Sequence, residues 1–128
     1  MGSPAAKQGD SVTGIDMHLI QPPSSSPPVM TPLPFCGLLD GGLCQSVFIM
    51  GAPAATVDST ATNLPPHIPT GGSFVNPPAN RATVVTGSAS VNIGGKAAAR
   101  AGDKADTCND DGQPQGGTVA ALGSVLIG

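Results

Sequence analysis

The chain has 128 residues and carries five Lys and Arg against eight Asp and Glu, for a formal net charge of −3. Only 10% of the residues are charged while 39% are hydrophobic, the reverse of a disordered acidic segment. The few basic residues form no run, which argues against nucleic-acid binding, and no apolar stretch approaches the ~20 residues of a membrane span. Trp and Tyr are missing and Phe occurs three times. A large aromatic core is therefore excluded, and a bound metal is one way to stabilise such a chain.

One short phrase occurs three times along the chain. It reads PAAKQGD over Pro4–Asp10, PAATVDS over Pro53–Ser59 and AAARAGD over Ala97–Asp103. A β-branched phrase precedes the second and third copies, at Ser46–Gly51 and Ser90–Lys96, and returns at Ser124–Gly128. The chain thus opens with the end of one unit and closes with its beginning, a pattern that predicts three units in a cyclic arrangement.

Short alternating segments predict strands, and no segment keeps a helical period. The best helical candidate is Ala97–Ala101, which glycines flank on both sides. Two Pro-rich inserts, Gln21–Pro34 and Leu64–Ala79, favour extended backbone and are interpreted as loops wrapped over the hairpins. The predicted strands are Val47–Met50, Ala82–Thr86, Val91–Gly94, Gly117–Ala121 and Val125–Ile127. We predict an all-β fold, one domain over residues 1–128, built from short β-hairpins with pseudo-threefold internal repeats and Pro-rich loops.

The residues that could bind a metal follow the repeated phrase. His18 and His67 stand at the same distance after the first and second copies, and Cys108 follows the third. Pseudo-threefold symmetry would bring these three side chains to one axis. Zinc accepts His nitrogen and Cys sulfur in a tetrahedral shell, so we predict a structural zinc site, one per chain, with His18, His67 and Cys108 as ligands.

The fourth ligand is less constrained by the sequence. Cys36, directly after the first Pro-rich insert, is the favoured candidate, and Asp16 or a water molecule is the alternative. Cys36 could also be a free buried thiol, and a Cys36–Cys44 disulfide would need an oxidising compartment. Cys44, at a strand start, is interpreted as a buried small side chain. No nucleophile elbow or oxyanion loop accompanies the Cys and His residues, so no catalytic residues are predicted.

The phrases Pro4-Ala5-Ala6-Lys7, Pro53-Ala54-Ala55-Thr56 and Ala97-Ala98-Ala99-Arg100, with Ser90-Val91-Asn92-Ile93-Gly94-Gly95-Lys96 before the third, resemble those of the PAAR-repeat proteins. The resemblance covers essentially the whole chain and rests on the repeated pattern, since no copy reads Pro-Ala-Ala-Arg in full. It implies a small pointed cone of short β-strands with a zinc near its apex, held by three His and one Cys.

Carried onto this chain, the family pattern matches His18, His67 and Cys108. In longer relatives a third His follows the Pro-Leu-Pro phrase, whereas here Pro32-Leu33-Pro34 is followed by Phe35-Cys36. Either Cys36 replaces that His, or the family's metal site is incomplete in this chain.

The resemblance also implies a function. Such proteins are non-enzymatic tips that cap and sharpen the trimeric β-helical, VgrG-like spike of type VI secretion and related contractile injection systems. One monomeric tip sits on each trimer, aids puncture of the target envelope and offers an attachment point for effectors. The expected location is the bacterial cytoplasm before firing and the outside or a target cell afterwards, without a Sec signal and without a fused effector domain. The alternatives are an effector or cargo adaptor that docks through the Pro-rich loops and, more remotely, a metal-dependent or thiol enzyme.

Overall fold

The computed structural model describes residues 2–69, 71–110 and 116–128, and the described residues contain strands and turns but no helix. The predicted all-β fold is therefore confirmed. No segment in the described ranges forms a helix that could span a membrane. The strands are β1 (Ser3–Pro4), β2 (Ser11–Gln21), β3 (Val29–Gly41), β4 (Cys44–Ile49), β5 (Ala52–Ala54), β6 (Thr60–Asn63), β7 (Ser73–Phe74), β8 (Arg81–Val84), β9 (Asn92–Ile93), β10 (Lys96–Ala97), β11 (Lys104–Asp106), β12 (Gly117–Ala120) and β13 (Leu126–Ile127).

Seven of these strands form one antiparallel sheet that closes on itself. Its order is β12-β11-β8-β6-β3-β2-β7, and a further pairing of β12 with β2 closes six strands into a small barrel. The barrel is built from three hairpin units, β2–β3, β6–β8 and β11–β12, and the first strand of each begins directly after a copy of the repeated phrase. The internal repeat thus becomes the architecture of the sheet.

The three copies of the phrase meet in a closed ring of backbone hydrogen bonds. Ala6 N–H donates to Ala99 O at 2.9 Å, Ala99 N–H to Ala55 O at 3.0 Å, and Ala55 N–H to Ala6 O at 3.0 Å. The three alanines are fully buried. Such a ring exists only if three equivalent segments surround one axis, so the predicted pseudo-threefold arrangement is present.

The end of each phrase forms the same turn. A side-chain oxygen accepts a hydrogen bond from the backbone N–H three residues earlier, a capping contact typical of Asp and Ser. The residue before it has a positive φ, at which glycine is free of strain. Ala97–Ala101, the best helical candidate of the sequence, is not helical, because its backbone is extended and Ala99 takes part in the alanine ring. The three accepting residues are Asp10, Ser59 and Asp103, and the positive-φ residues are Gly9 (91°), Asp58 (79°) and Gly102 (91°).

Three two-stranded hairpins lie on the other side of the alanine ring from the barrel. They pair β4 with β5, β9 with β10, and β13 with β1, so the two ends of the chain complete the third hairpin. Ile49, Ile93 and Ile127 occupy equivalent positions in them and pack with Ala5 and Ala54 into a second small core. We call this end of the molecule the base.

The first Pro-rich insert differs from the prediction. Residues 22–28 connect β2 to β3, but Val29–Pro34 belongs to β3 and pairs with β2 along its whole length. The reason is the position of Pro32 and Pro34 in the strand. The backbone N–H and C=O of Cys36 bond away from β2, to Asn63 Oδ1 and Leu64 N–H. In an antiparallel strand, residues two apart point their polar groups to the same side. Pro32 and Pro34 therefore present their missing N–H groups to the edge opposite β2, where no ladder bond is lost.

The second insert, Leu64–Ala79, connects β6 to β8 as predicted, with Thr70 outside the described residues; its strand β7 pairs with the far end of β2. The core follows the pseudo-threefold axis from the alanine ring into the barrel and then to Phe35, whose ring is 1% exposed. Beyond Phe35 the axis is occupied by polar side chains. The larger aliphatic residues that the barrel strands contribute to this core are Val12, Leu39, Val84 and Val119.

Candidate metal centre

Strand β2 supplies two of the polar side chains on the axis. Side chains of a strand alternate between its faces, and in β2 the buried series is Val12, Asp16, His18 and Ile20. Asp16 and His18 are completely buried. The two-residue spacing therefore places a carboxylate and an imidazole side by side inside the barrel.

Two loops bring the remaining side chains to the same place. His67 lies in the segment between β6 and β8, and Cys108 lies just after β11. The His67 ring packs at 4.9 Å from the His18 ring between centroids. On one side, the ring centroid of Phe35 lies 6.2 Å from that of His67. On the other side, the ring centroid of Phe74 lies 5.7 Å from that of His18. The polar group is thus enclosed by aromatic rings along the axis.

One potential ligand atom from each of Asp16, His18, His67 and Cys108 lies within 4.8 Å of the others. Asp16 Oδ2 is 2.8 Å from His67 Nε2, 3.2 Å from Cys108 Sγ and 3.9 Å from His18 Nε2. Cys108 Sγ is 3.7 Å from His18 Nε2. Ligands of a tetrahedral zinc, with bonds of about 2.0–2.3 Å, are separated by about 3.3–3.8 Å. The four side chains therefore already approximate the spacing of a tetrahedral shell.

The electrostatics of this group favour a cation. The Asp16 carboxylate is buried, and among the described residues its ion pairs are with the two histidines rather than with Lys or Arg. A buried carboxylate is costly unless it is paired. Burial, reinforced by a hydrogen bond to Asp16 and by its negative charge, raises the pKa of the Cys108 thiol from 9.0 to about 11. Without a metal the thiol keeps its proton and donates it to Asp16 Oδ2.

The hydrogen-bond partners of these side chains determine which protons a metal would have to displace. Asn63 Nδ2 lies 3.3 Å from His67 Nδ1 and so favours the tautomer with its proton on Nε2, where Asp16 accepts it. For Nε2 to bind a metal, this proton must move to Nδ1, and Asn63 must then present its amide oxygen. Cys108 must lose its proton as well. A dipositive ion would offset both changes, because it places its charge against the Asp16 carboxylate and the Cys108 thiolate.

The family model for the PAAR motif matches residues 41–106, about half of the chain. This chain belongs to the PAAR family. No curated protein matches it. The PAAR family is structural rather than enzymatic. The matched region contains the second and third copies of the repeated phrase and His67, and the first copy lies outside it.

In this PAAR protein the structure does not bring Cys36 to the other predicted ligands. Phe35 and Gly37 of β3 are buried and Cys36 between them is exposed, because successive side chains of a strand point to opposite faces. Cys36 instead lines a surface cavity of about 290 Å³, together with Leu33, Leu64 and Ile68. Asp16, the alternative fourth ligand, occupies the interior position. Cys36, Cys44 and Cys108 are free thiols, and Cys44 is half-buried rather than buried.

Several residues around the PAAR protein's polar group were not singled out by sequence reasoning. Thr107 Oγ1 donates to Asp16 Oδ1, and Asp110 Oδ1 lies 3.3 Å from His18 Nδ1. Asp16 itself could have ranked higher, because Asp16-Met17-His18 places it on the face of His18 in any strand. The partners in the loop after β11 carry no such signal, because their approach depends on how the loop folds back along β2.

Proposed function

We propose that this chain is a metal-stapled tip that caps the trimeric β-helical, VgrG-like spike of a contractile injection system. The observation that carries this proposal is the alanine ring, which gives a single chain three equivalent sides. A trimer presents three identical strand ends, and one chain with pseudo-threefold symmetry can contact all three at once. Membership of the PAAR family supports the same assignment.

The base has the chemistry of a docking surface. Phe48 and Leu126 hold equivalent positions in two base hairpins and are 58% and 57% exposed, and Met50 in the adjoining turn is 58% exposed. Large apolar side chains exposed together mark interaction sites. Flat strand ends of a spike also need covering, because open strand edges promote aggregation. We propose that the base packs on the end of the spike.

The metal centre would stiffen the opposite end. A zinc ion held by Asp16, His18, His67 and Cys108 would connect β2 to both loops at the level where Phe35 ends the apolar core. Structural zinc contributes folding free energy directly, and the described residues of the two loops include no buried hydrophobic side chain. On this proposal the chain acts mechanically, and it is expelled with the spike when the system fires.

The test compares docking of variants to the isolated spike trimer. Phe48→Asp and Leu126→Asp place charge in the proposed interface, so we expect each to weaken binding by about tenfold or more. Val29→Asp is the matched control, because Val29 is 55% exposed at the far end of the β2–β3 hairpin. Docking through the base is rejected if both base variants still bind the spike as tightly as the wild type. It is also rejected if Val29→Asp weakens binding as much as they do. Zinc content, measured by native mass spectrometry of the same samples, tests the metal separately.

A further inference from the structure

The segment that carries Cys108 is bound to β2 through the two residues that follow it. Met17 N–H donates to Asn109 Oδ1 at 2.6 Å and Leu19 N–H donates to Asp110 Oδ2 at 2.9 Å. Asp110 N–H in turn donates to Met17 O at 2.8 Å. The edge of β2 between its pairings with β12 and β7 is therefore covered by Asn109 and Asp110 in place of a strand.

The second carboxylate oxygen of Asp110 has a different neighbour. Asp110 Oδ1 lies 3.3 Å from Nδ1 of His18. This Nδ1 is completely buried and has no hydrogen-bond partner among the described residues, so the carboxylate is the group best placed to receive its proton. The distance is that of a hydrogen bond, and the N–H must turn toward Oδ1 for the bond to form. The other ring nitrogen, Nε2, faces Cys108 and Asp16.

We infer that Asp110 is a positioning residue for metal binding, which orients His18 by accepting a hydrogen bond from Nδ1–H. The inference rests on the proposed zinc site. With the proton held at Nδ1, the lone pair of Nε2 is directed to the metal, and the carboxylate increases the basicity of the ring. The two histidines differ in this respect, because His67 Nδ1 faces the Asn63 amide nitrogen whereas His18 Nδ1 faces a carboxylate.

Asp110 also links the loop that carries Cys108 to strand β2. Its Oδ2 and backbone N–H hold the Cys108 segment to β2, while its Oδ1 sets the tautomer of a ligand on β2. One side chain thus couples the position of the thiol to the orientation of the imidazole. A merely structural role would need only the first of these contacts.

The experiment measures zinc affinity and the His18 tautomer in the full chain. Asp110→Asn keeps an oxygen that can accept from Leu19 N–H but removes the charge. We expect the zinc Kd, measured by competition with a chromophoric chelator, to rise by about 10–100-fold. Asp40→Asn, on an exposed residue of β3, makes the same charge change away from the site and should leave the Kd unchanged. In the zinc-loaded wild type, ¹⁵N NMR should show His18 protonated at Nδ1 and unprotonated at Nε2.

The outcomes separate this inference from the proposed function. If the wild-type chain binds zinc tightly and Asp110→Asn has the same zinc Kd as Asp40→Asn, the proposed role of Asp110 is overturned and the metal centre is unaffected. A His18 that is unprotonated at Nδ1 in the zinc-loaded protein would overturn it equally. A wild-type chain that binds no zinc would reject the metal centre and this inference together. If Asp110→Asn unfolds without zinc, the Kd of Asp110→Glu and the wild-type NMR assignment still decide the question.

Discussion

Asp16 is the residue on which the composition of the proposed metal shell depends. It would supply a carboxylate oxygen in place of a sulfur or nitrogen ligand, and zinc accepts such an oxygen. Its negative charge and that of a Cys108 thiolate would together neutralise a dipositive ion, so the buried centre would carry no net charge from its four ligands. A neutral shell is the arrangement that costs least in an interior enclosed by Phe35 and Phe74.

Substitution distinguishes Asp16 from Cys36 as the fourth ligand. Asp16→Asn preserves shape but removes the charge, and we expect the zinc Kd to rise by more than the about 10–100-fold typical of an outer-sphere partner. Cys36→Ser changes an exposed side chain on the outer face of β3 and should leave the Kd within about twofold. If instead Cys36→Ser raises the zinc Kd and Asp16→Asn leaves it unchanged, Cys36 is the fourth ligand. Chelator competition on both variants provides the measurement.

If Cys108 is a zinc ligand, the raised pKa of its thiol makes zinc binding depend on pH. Below its pKa of about 11 the thiol is protonated, so each zinc ion that binds displaces one proton from it. We expect the contribution of Cys108 to strengthen zinc binding by about tenfold per pH unit between pH 8 and 9. In Cys108→Ser the slope should fall by one proton, in addition to a loss of affinity. An unchanged slope would show that Cys108 is not a ligand.

The same pKa shift predicts the stability of the metal-free chain. The pKa of Cys108 in the folded chain lies above 9.0, the ordinary value of a cysteine thiol, so the protonated thiol favours the folded state below pH 9. That contribution is lost as the pH rises from 9 through 11. The thermal midpoint of the metal-free wild type should therefore fall over this range more than that of Cys108→Ser, as measured by circular dichroism.

At the scale of elements, the open edge of β3 is the feature that most needs protection. Beyond its pairing with β6, β3 continues from Val29 to Cys36, and no strand of the described residues pairs with its outer edge. Such an edge can recruit another chain. Pro32 and Pro34 remove two N–H donors from it while the opposite side of the strand keeps its bonds to β2. The two prolines therefore act against strand addition, and they do not interrupt the strand.

Replacing both prolines should expose this edge. In a Pro32→Thr/Pro34→Thr variant the two restored N–H groups point to solvent, and threonine favours strands. We expect thermal stability within about 1 kcal/mol of wild type but measurable self-association in analytical ultracentrifugation. Pro27→Thr, in the connection between β2 and β3, is the control and should remain monomeric. Equal behaviour of the two variants would show that the prolines do not guard the edge.

The elements also show which features a sequence can reveal. The repeated phrase predicted the threefold arrangement because its Asp or Ser and its glycines serve one recurring turn. The alternation of apolar and polar residues predicted strands β8 and β12. The positions of His18, His67 and Cys108 after the repeated phrase identified them as candidate ligands. The sequence did not predict the length of β3, because its proline content favours a loop. Only the register of the β2–β3 pairing shows that both prolines face an open edge. The outward direction of Cys36 depends on that same register.

At the scale of the whole molecule, the alanine ring and the proposed metal centre would stabilise opposite ends of the axis independently. The alanine ring lies at the base end and consists of backbone bonds between fully buried residues, which need no ligand. The proposed metal lies at the opposite end and joins β2 to two loops that have few apolar contacts. Opening of a protein is local where buried apolar contacts are few, so the two ends should respond differently when the metal is removed.

Hydrogen exchange with and without a chelator can separate these two contributions. If zinc stabilises only the end opposite the base, its removal should speed exchange at the amides of Met17, Leu19 and Val75. Each of these amides makes a hydrogen bond between β2 and one of the two loops. The ring amides of Ala6, Ala55 and Ala99 should exchange as slowly as before. The overall thermal midpoint should also fall, because a ligand at 1,000 times its Kd contributes about 4 kcal/mol. Faster exchange in the ring to the same extent would mean that the metal holds the whole barrel together, and the Asp16→Asn variant should then show the same global loss without any chelator.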